Sequence, residues 1–217
     1  MLAVPLSAAQ MQDRLNADIS LAVINTPQRC VVSGTHQAIA RLQHKLHVLG
    51  IESRILHTSH AFHSHLLEPV MGSFDEKLRR ISFNPPHIPY LSNLTGDWIR
   101  PEQAVAPDYW VSHLRNTVRF SDNVHALFKH RSDILLEAGP GQTLSALIRQ
   151  HPEYSEQCVL LSSLPRQRDT SGQAELKQIL STLGQLWCHG VMVSMLTGRP
   201  FMLKRNAAVC RSGGSCG

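Results

Sequence analysis

Residues 19–34 read ISLAVINTPQRCVVSG, two runs rich in β-branched residues that meet at Thr26, Pro27 and Gln28. Proline fixes φ and offers no backbone donor, so the chain must turn there, and the two runs read as a β-hairpin. Upstream, MLAV (1–4) is a short apolar segment. Ser7 and Gln10 then form a capping box that opens a helix running to about Asn16, with Met11 and Leu15 on one face. Downstream, Ile39, Leu42, Leu46 and Leu49 recur at helical spacing after Thr35, and Gly50 closes that helix. IESRILH (51–57) is a final strand. The order is β-α-β-β-α-β, a ferredoxin-like split βαβ, and it predicts a small subdomain over residues 1–60.

The rest of the chain has another rhythm. Leu67, Val70, Met71, Phe74, Leu78 and Ile81 predict a helix after His65, with Pro69 confined to its first turn. YLSN (90–93) reads as a strand, followed by helices near 109–114 and 121–129. DILLEAG (133–139) is an apolar strand, GPGQTLSALIRQ (139–150) a turn feeding a helix, and CVLLSS (158–163) another strand. A long helix over 174–189 carries Leu176, Ile179, Leu180, Leu183 and Trp187 on one side. Strands alternating with helices give an α/β class with a parallel, helix-covered sheet. Residues 196–217 have no period and are expected to be disordered.

Composition narrows the function classes. At 217 residues, 42% of them hydrophobic and 17% charged, the chain matches a globular domain with a core of its own. No apolar run approaches the ~18 residues of a membrane helix, and MLAVPLSAAQ lacks the basic start of an export signal. Five scattered cysteines without a C-x-x-C pair argue against structural zinc and a disulfide framework, so a reducing cytoplasm is expected. The net charge of +5 is dispersed, with no basic run interleaved with aromatics. Nucleic acid is therefore not an expected partner, whereas an anionic ligand or an acidic protein is compatible.

The chemistry concentrates in HTSHAFHSHLLEP (57–69), where His57, His60, His63 and His65 fall within nine positions. As a metal site it is poor, since the segment offers one carboxylate, Glu68, no cysteine and no helix-borne H-E-x-x-H. A second reading makes the histidines loop decoration, which suits His57 and His65. The third makes His63 a base. It precedes a helix, and the positive end of the helix dipole disfavours the imidazolium, leaving a neutral ring near the ordinary pKa of ~6.5. The residues alone leave these readings open.

A wider pattern bears on the choice. SHAFHS (59–64), YLSNLTG (90–96), YWVSHLR (109–115), VRFSDNV (118–124) and LLEAGPGQTL (135–144) occur in the order seen in type I polyketide synthase acyltransferase domains. Those domains are relatives of malonyl-CoA:acyl carrier protein transacylase. INTPQRCVVSG (24–34) resembles the family's ferredoxin-like subdomain, while LSSLPRQRD (161–169) and LGQLWCHGV (183–191) resemble the linker that follows the domain. The resemblance covers about 1–193. It implies a small subdomain (1–60), the C-terminal part of an α/β-hydrolase-like core (61–158), a linker (159–195) and a tail (196–217).

The resemblance also implies a mechanism. A serine on a nucleophile elbow attacks a malonyl-CoA thioester, and the acyl-serine is then taken by the phosphopantetheine thiol of an acyl carrier protein. His63 corresponds to the histidine that activates the serine. His60, Ala61 and Phe62 correspond to the specificity segment, in its malonyl version. Phe62 would crowd an α-methyl branch, a discrimination of only ~1–3 kcal/mol. Backbone carbonyls orient the imidazole in the family, and Glu137–Gln142 is the turn expected beside it. The chain is expected to bind no cofactor or metal of its own. Its implied partners are malonyl-CoA, acyl carrier protein, a ketosynthase and the other synthase domains.

Two departures stand out. His65 occupies a position where proline is common. More seriously, the family's G-H-S-x-G elbow, its glutamine-glycine oxyanion element and its carboxylate-binding arginine all lie N-terminal to the small subdomain, which here begins at Met1. The sequence holds one G-x-S-x-G match, Gly213 to Gly217, in a glycine-rich end without the strand-turn-helix an elbow needs. The chain by itself is therefore expected to lack transacylase activity, with an inactive remnant or carrier-protein docking module as the alternative. Part of a larger sheet is also expected to leave apolar faces exposed.

Overall fold

The capping box written into SAAQ forms as the sequence predicts in the computed structural model of the chain. Ser7 Oγ accepts from the Gln10 amide at 3.2 Å, and Gln10 Oε1 accepts from the Ser7 amide at 2.9 Å. The helix it opens, α1 (Ala8–Gln12), stops well short of Asn16. The Asn16 side chain accepts from the Asp18 amide at 2.9 Å instead, the local competition that makes asparagine a turn residue. Residues 1–130, 133–165, 172–192 and 204–205 are described. They fall into two compact units, Met1–Ser132 with Leu147–Ser155, and Asp133–Ala146 with Glu156–Gly217.

The first unit begins with β1 (Leu2–Val4), α1, β2 (Ile19–Thr26), β3 (Arg29–Gly34), α2 (His36–Val48) and β4 (Arg54–Ile55). This is the predicted β-α-β-β-α-β order. The strands form one antiparallel sheet in the order β2-β3-β1-β4. Pro27 and Gln28 make the hairpin turn, with Thr26 opposite Arg29. Leu2, Met11, Val32 and Leu46 are fully buried in the core between sheet and helices. Each such side chain contributes roughly 1.5–3 kcal/mol of burial free energy. Thr35 caps α2 by accepting from the Ala38 amide at 3.2 Å. Gly50, at φ 71°, reverses the chain in a conformation that costs glycine no Cβ clash. Leu49, expected on the core face, is exposed because α2 ends one residue earlier.

A 3-10 turn (His65–Leu67) leads into α3 (Glu68–Leu78). Leu78 is buried there, but Val70 and Ile81, expected on the same buried side, are exposed. YLSN is less a strand than one arm of a small hairpin, β5 (Leu91–Ser92) against β6 (Asp97–Trp98). Its turn requires glycine. Gly96 has φ 73°, and a Cβ there would lie 2.5 Å from the Asp122 Cβ. After α4 (Pro101–Ala104) come α5 (Pro107–Arg115) and α6 (Phe120–Lys129). Between the last two, Val118 pairs with the free edge of β2: its amide donates to the Ala22 carbonyl at 2.8 Å, and its carbonyl accepts from the Ile24 amide at 2.9 Å.

The second unit is built on β7 (Ile134–Pro140) and β8 (Val159–Leu164), the parallel pair among the described residues. With it go the first four residues of α7 (Thr143–Ile148), then α8 (Gly172–Cys188), β9 (Val191–Met192) and β10 (Lys204–Arg205). The boundary expected at 158/159 falls at the start of β8, inside this unit. Thr182 Oγ1 and Gln178 Nε2 of α8 both donate to the Ser162 carbonyl, at 2.8 and 2.9 Å. Thr182 and Leu186 are the buried positions of α8, while Leu176, Ile179, Leu180 and Trp187 of the predicted apolar side are exposed. Of the tail expected to be disordered, Lys204–Arg205 pairs antiparallel with Val191–Met192, and the remainder lies outside the described residues.

Glu137 shows how the turn after β7 is fixed. Its carboxylate accepts from the Leu144 amide at 3.1 Å, the Ser145 amide at 2.9 Å and Ser145 Oγ at 2.8 Å. Burial pushes its pKa up, but the hydrogen bonds from Ser145, Leu144 and Thr143 together outweigh that and leave it below the ordinary value. Such a group stabilises the fold above the unfolded carboxylate pKa of ~4.3, a contribution lost as pH falls through the folded value. Glu137→Gln should therefore cost about 1 kcal/mol in urea unfolding at pH 7, as other lost helix caps do, and the gap to wild type should close on acidification.

Candidate active site

The segment bearing the histidines is wound tightly by one serine. Ser64 is fully buried; its hydroxyl donates to the Ala61 carbonyl at 2.6 Å and accepts from the Leu66 amide at 3.3 Å. The curl leaves His63 at φ 55°, the non-glycine residue with positive φ among the described residues. The left-handed conformation costs roughly 1–2 kcal/mol, so the surroundings must hold it in place. Next to it, His65 Nδ1 and the His65 amide both face Ser20 Oγ of β2 at 3.4 Å.

The His63 ring is half-buried and meets the last turn of α5. It stands edge-on to the His113 ring, at 5.9 Å between centroids and 88° between planes. Nδ1 is buried and forms no hydrogen bond of good geometry. Burial pushes the His63 pKa below its ordinary value, and the nearby backbone carbonyls of Asn116 and His113 oppose that without reversing it. His113 is lowered too, first by burial and then by repulsion from His63. The neutral state expected from the sequence thus comes from burial rather than from the helix dipole. A proton on the buried Nδ1 would leave Nε2 free to act as the base.

The other candidates separate. His60 and Ala61 help line a cavity of about 410 Å³ with Ile39, Ile55, Thr58 and Leu66. Phe62 is exposed, and its ring lies 5.9 Å from that of His60. His60 Nδ1 contacts Ser59 Oγ at 3.0 Å, and His57 is exposed. The histidines do not converge, and among the described residues no group of three or more His, Cys, Asp or Glu could hold a metal ion.

The carbonyls that act on the imidazole within the first unit belong to His113 and Asn116. The Glu137–Gln142 turn lies in the second unit, where Glu137 caps α7. Sequence reading missed these carbonyls because every residue has one. His113 was visible, within YWVSHLR, but nothing local to it points toward residue 63.

Residues 1–191 match the family model for the acyl transferase domain, and the chain belongs to that family. Its relatives are type I polyketide synthases. It is 35% identical over 206 residues to a subunit of the phenolphthiocerol/phthiocerol polyketide synthase of Mycobacterium tuberculosis, covering 92% of this chain and 13% of that one. Polyketide synthase GfsB of Streptomyces halstedii is 34% identical over 198 residues, covering 89% of this chain and 3% of that one. The crystal structure of the acyl transferase domain of SpnD, in complex with 2-(pent-4-yn-1-yl)malonyl, superposes with a TM-score of 0.80 at 35% identity, over 86% of this chain and 45% of that one. The fold is shared with malonyl CoA-acyl carrier protein transacylase of Clostridium perfringens, with a TM-score of 0.69 at 21% identity over 87% of this chain and 58% of that one. The chain thus spans a small part of the synthases it matches and less than half of the SpnD domain.

The two rings give a direct test of this geometry. His63→Asn removes the neighbouring positive charge that resists protonation of His113, so the His113 midpoint should rise in an NMR titration. An unchanged midpoint would mean that the rings do not face each other.

Proposed function

We propose that this chain carries the base and the specificity segment of an acyltransferase that moves a malonyl unit from CoA to the phosphopantetheine thiol of an acyl carrier protein. The serine hydroxyl comes from a segment outside these 217 residues. The observation that carries the reading is His63, the last residue of HAFH, held neutral and half-buried against the carbonyls of His113 and Asn116.

In this reading His63 Nε2 takes the proton as the serine oxygen attacks the thioester carbonyl. The tetrahedral adduct collapses, the C–S bond breaks, and the imidazolium returns the proton to the departing CoA thiolate. The same ring then deprotonates the carrier thiol, which attacks the acyl-serine; the ester C–O bond breaks, and the imidazolium returns the proton to the serine oxygen. His60, Ala61 and Phe62 shape the acyl pocket. The sheet order β2-β3-β1-β4 supports assigning the first strands and helices to the ferredoxin-like subdomain, and the parallel pairing of β7 supports assigning residues 61–158 to the C-terminal part of an α/β-hydrolase-like core. A ketosynthase and further synthase domains are the proposed neighbours. Burial pushes the Cys30 thiol up to about 11, and an unbridged Cys30 suits a reducing cytoplasm. No helix among the described residues is long and apolar enough to cross a membrane.

A second reading, a catalytically inactive or carrier-protein docking module, is favoured by the net charge of +5, which would attract an acidic carrier protein. Mixing separates the two. With malonyl-CoA and a segment bearing the G-H-S-x-G elbow, intact mass spectrometry should show the segment gaining one malonyl group. In the mixture His63→Ala should slow acylation by at least ~10²-fold, and His57→Ala should be nearly silent. Phe62→Ser with His60→Tyr should raise methylmalonyl use. A mixture that never acylates supports the inactive module, and equal rates for wild type and His63→Ala refute the base.

A further inference from the structure

α3 and α5 lie side by side with opposed ends close together, and an ion pair joins each end. Arg115 Nε meets Glu68 Oε1 at 2.8 Å. Eleven residues along α3, about 16 Å away, Arg79 Nη2 meets Asp108 Oδ1 at 2.6 Å, with Asp75 also on Arg79 at 2.8 Å. The two pairs join the same helices with the same chemistry, but they sit differently with respect to His63. Glu68 opens α3 five residues after His63, whereas Arg115 closes α5 between the two residues whose carbonyls face the imidazole.

We propose that Glu68 and Arg115 are positioning residues, an ionic clamp that holds the start of α3 to the end of α5 and so keeps the His63 ring seated against His113 and Asn116. The need for a clamp follows from the local structure. His63 stands in a left-handed conformation, and its Nδ1 makes no hydrogen bond of its own that would fix the ring. α5 ends at an extended Asn116, whose amide and side chain both donate back to the Ser112 carbonyl, at 3.0 and 2.8 Å. That end is closed on itself. Arg115 is the charged side chain that ties it to α3. A partly exposed pair adds little to global stability, so its effect should appear locally, in the ring it seats.

The inference rests on His63 being the base, yet its readout is the titration of the ring itself. A mixture that fails to acylate would sink the function and leave the clamp standing. Imidazole NMR titrations of the full chain, with His63 assigned by its loss in His63→Asn, compare four variants at about 0.15 M salt, where exposed charges are largely screened beyond ~8 Å. If the clamp seats the ring, Arg115→Gln and Glu68→Gln both let water in and relieve the burial of His63. Both midpoints then rise, by about half a unit, roughly threefold in the protonation equilibrium. The charge-swapped Glu68→Arg/Arg115→Glu chain returns to the wild-type midpoint, and Asp108→Asn leaves it unchanged. If the pair acts through its charges alone, the single variants move the midpoint in opposite directions, because one leaves an anion and the other a cation. Opposite shifts, no shifts, or an equal shift in Asp108→Asn each overturn the proposal. Should a single variant fail to fold, the charge-swapped chain decides: a wild-type midpoint supports the clamp and a displaced one refutes it.

Discussion

The free edge of β2 is the constraint on which the site depends. β2 ends the antiparallel sheet, so one side of it offers backbone donors and acceptors with no strand to receive them. The chain satisfies part of that edge with Val118, and Thr117 Oγ1 adds a bond to the Leu21 carbonyl at 2.6 Å. On the same strand Ser20 meets His65. One rail thus holds two segments more than fifty residues apart in sequence, the residues just after α5 and those just after His63. The imidazole and its carbonyls meet because both are tied to β2.

Magnitudes decide how the imidazole behaves. Burial disfavours its charged form, and the carbonyls of Asn116 and His113 favour it; burial is the larger effect. The carbonyls therefore moderate the effect of burial without making the ring a cation. Repulsion from His63 lowers His113 in addition to its burial, since two imidazolium rings edge to edge cannot both be charged cheaply. A neutral ring with a buried Nδ1 is the form a base needs at pH 7.

What the sequence revealed follows the range of the forces involved. Ser7 with Gln10, Pro27 between two β-branched runs, and Gly50 after a helical stripe act within a few residues, and each placed its turn or cap correctly. Ile39, Leu42 and Leu46 are buried as their spacing predicts, but Leu49 is not, because periodicity cannot say where a helix stops. Val70, Ile81 and the Leu176–Trp187 side of α8 share that lesson. A periodic stripe shows that a face is apolar, not that anything among the described residues covers it. His63 drew attention through its motif and its place before a helix. The groups that orient it did not, because a bond between β2 and Val118, or a carbonyl at position 116, leaves no mark on residue type.

The most direct test of this account is the protonation state of His63 itself, read from the ¹⁵N shifts of its two ring nitrogens between pH 5 and 8. A seated ring should show one neutral tautomer at pH 7, with the proton on Nδ1 and an unprotonated Nε2, and should titrate below the ordinary ~6.5 of a histidine in water. Averaged shifts from two exchanging tautomers, with a midpoint at or above that value, would describe a ring loose in solvent and contradict the account.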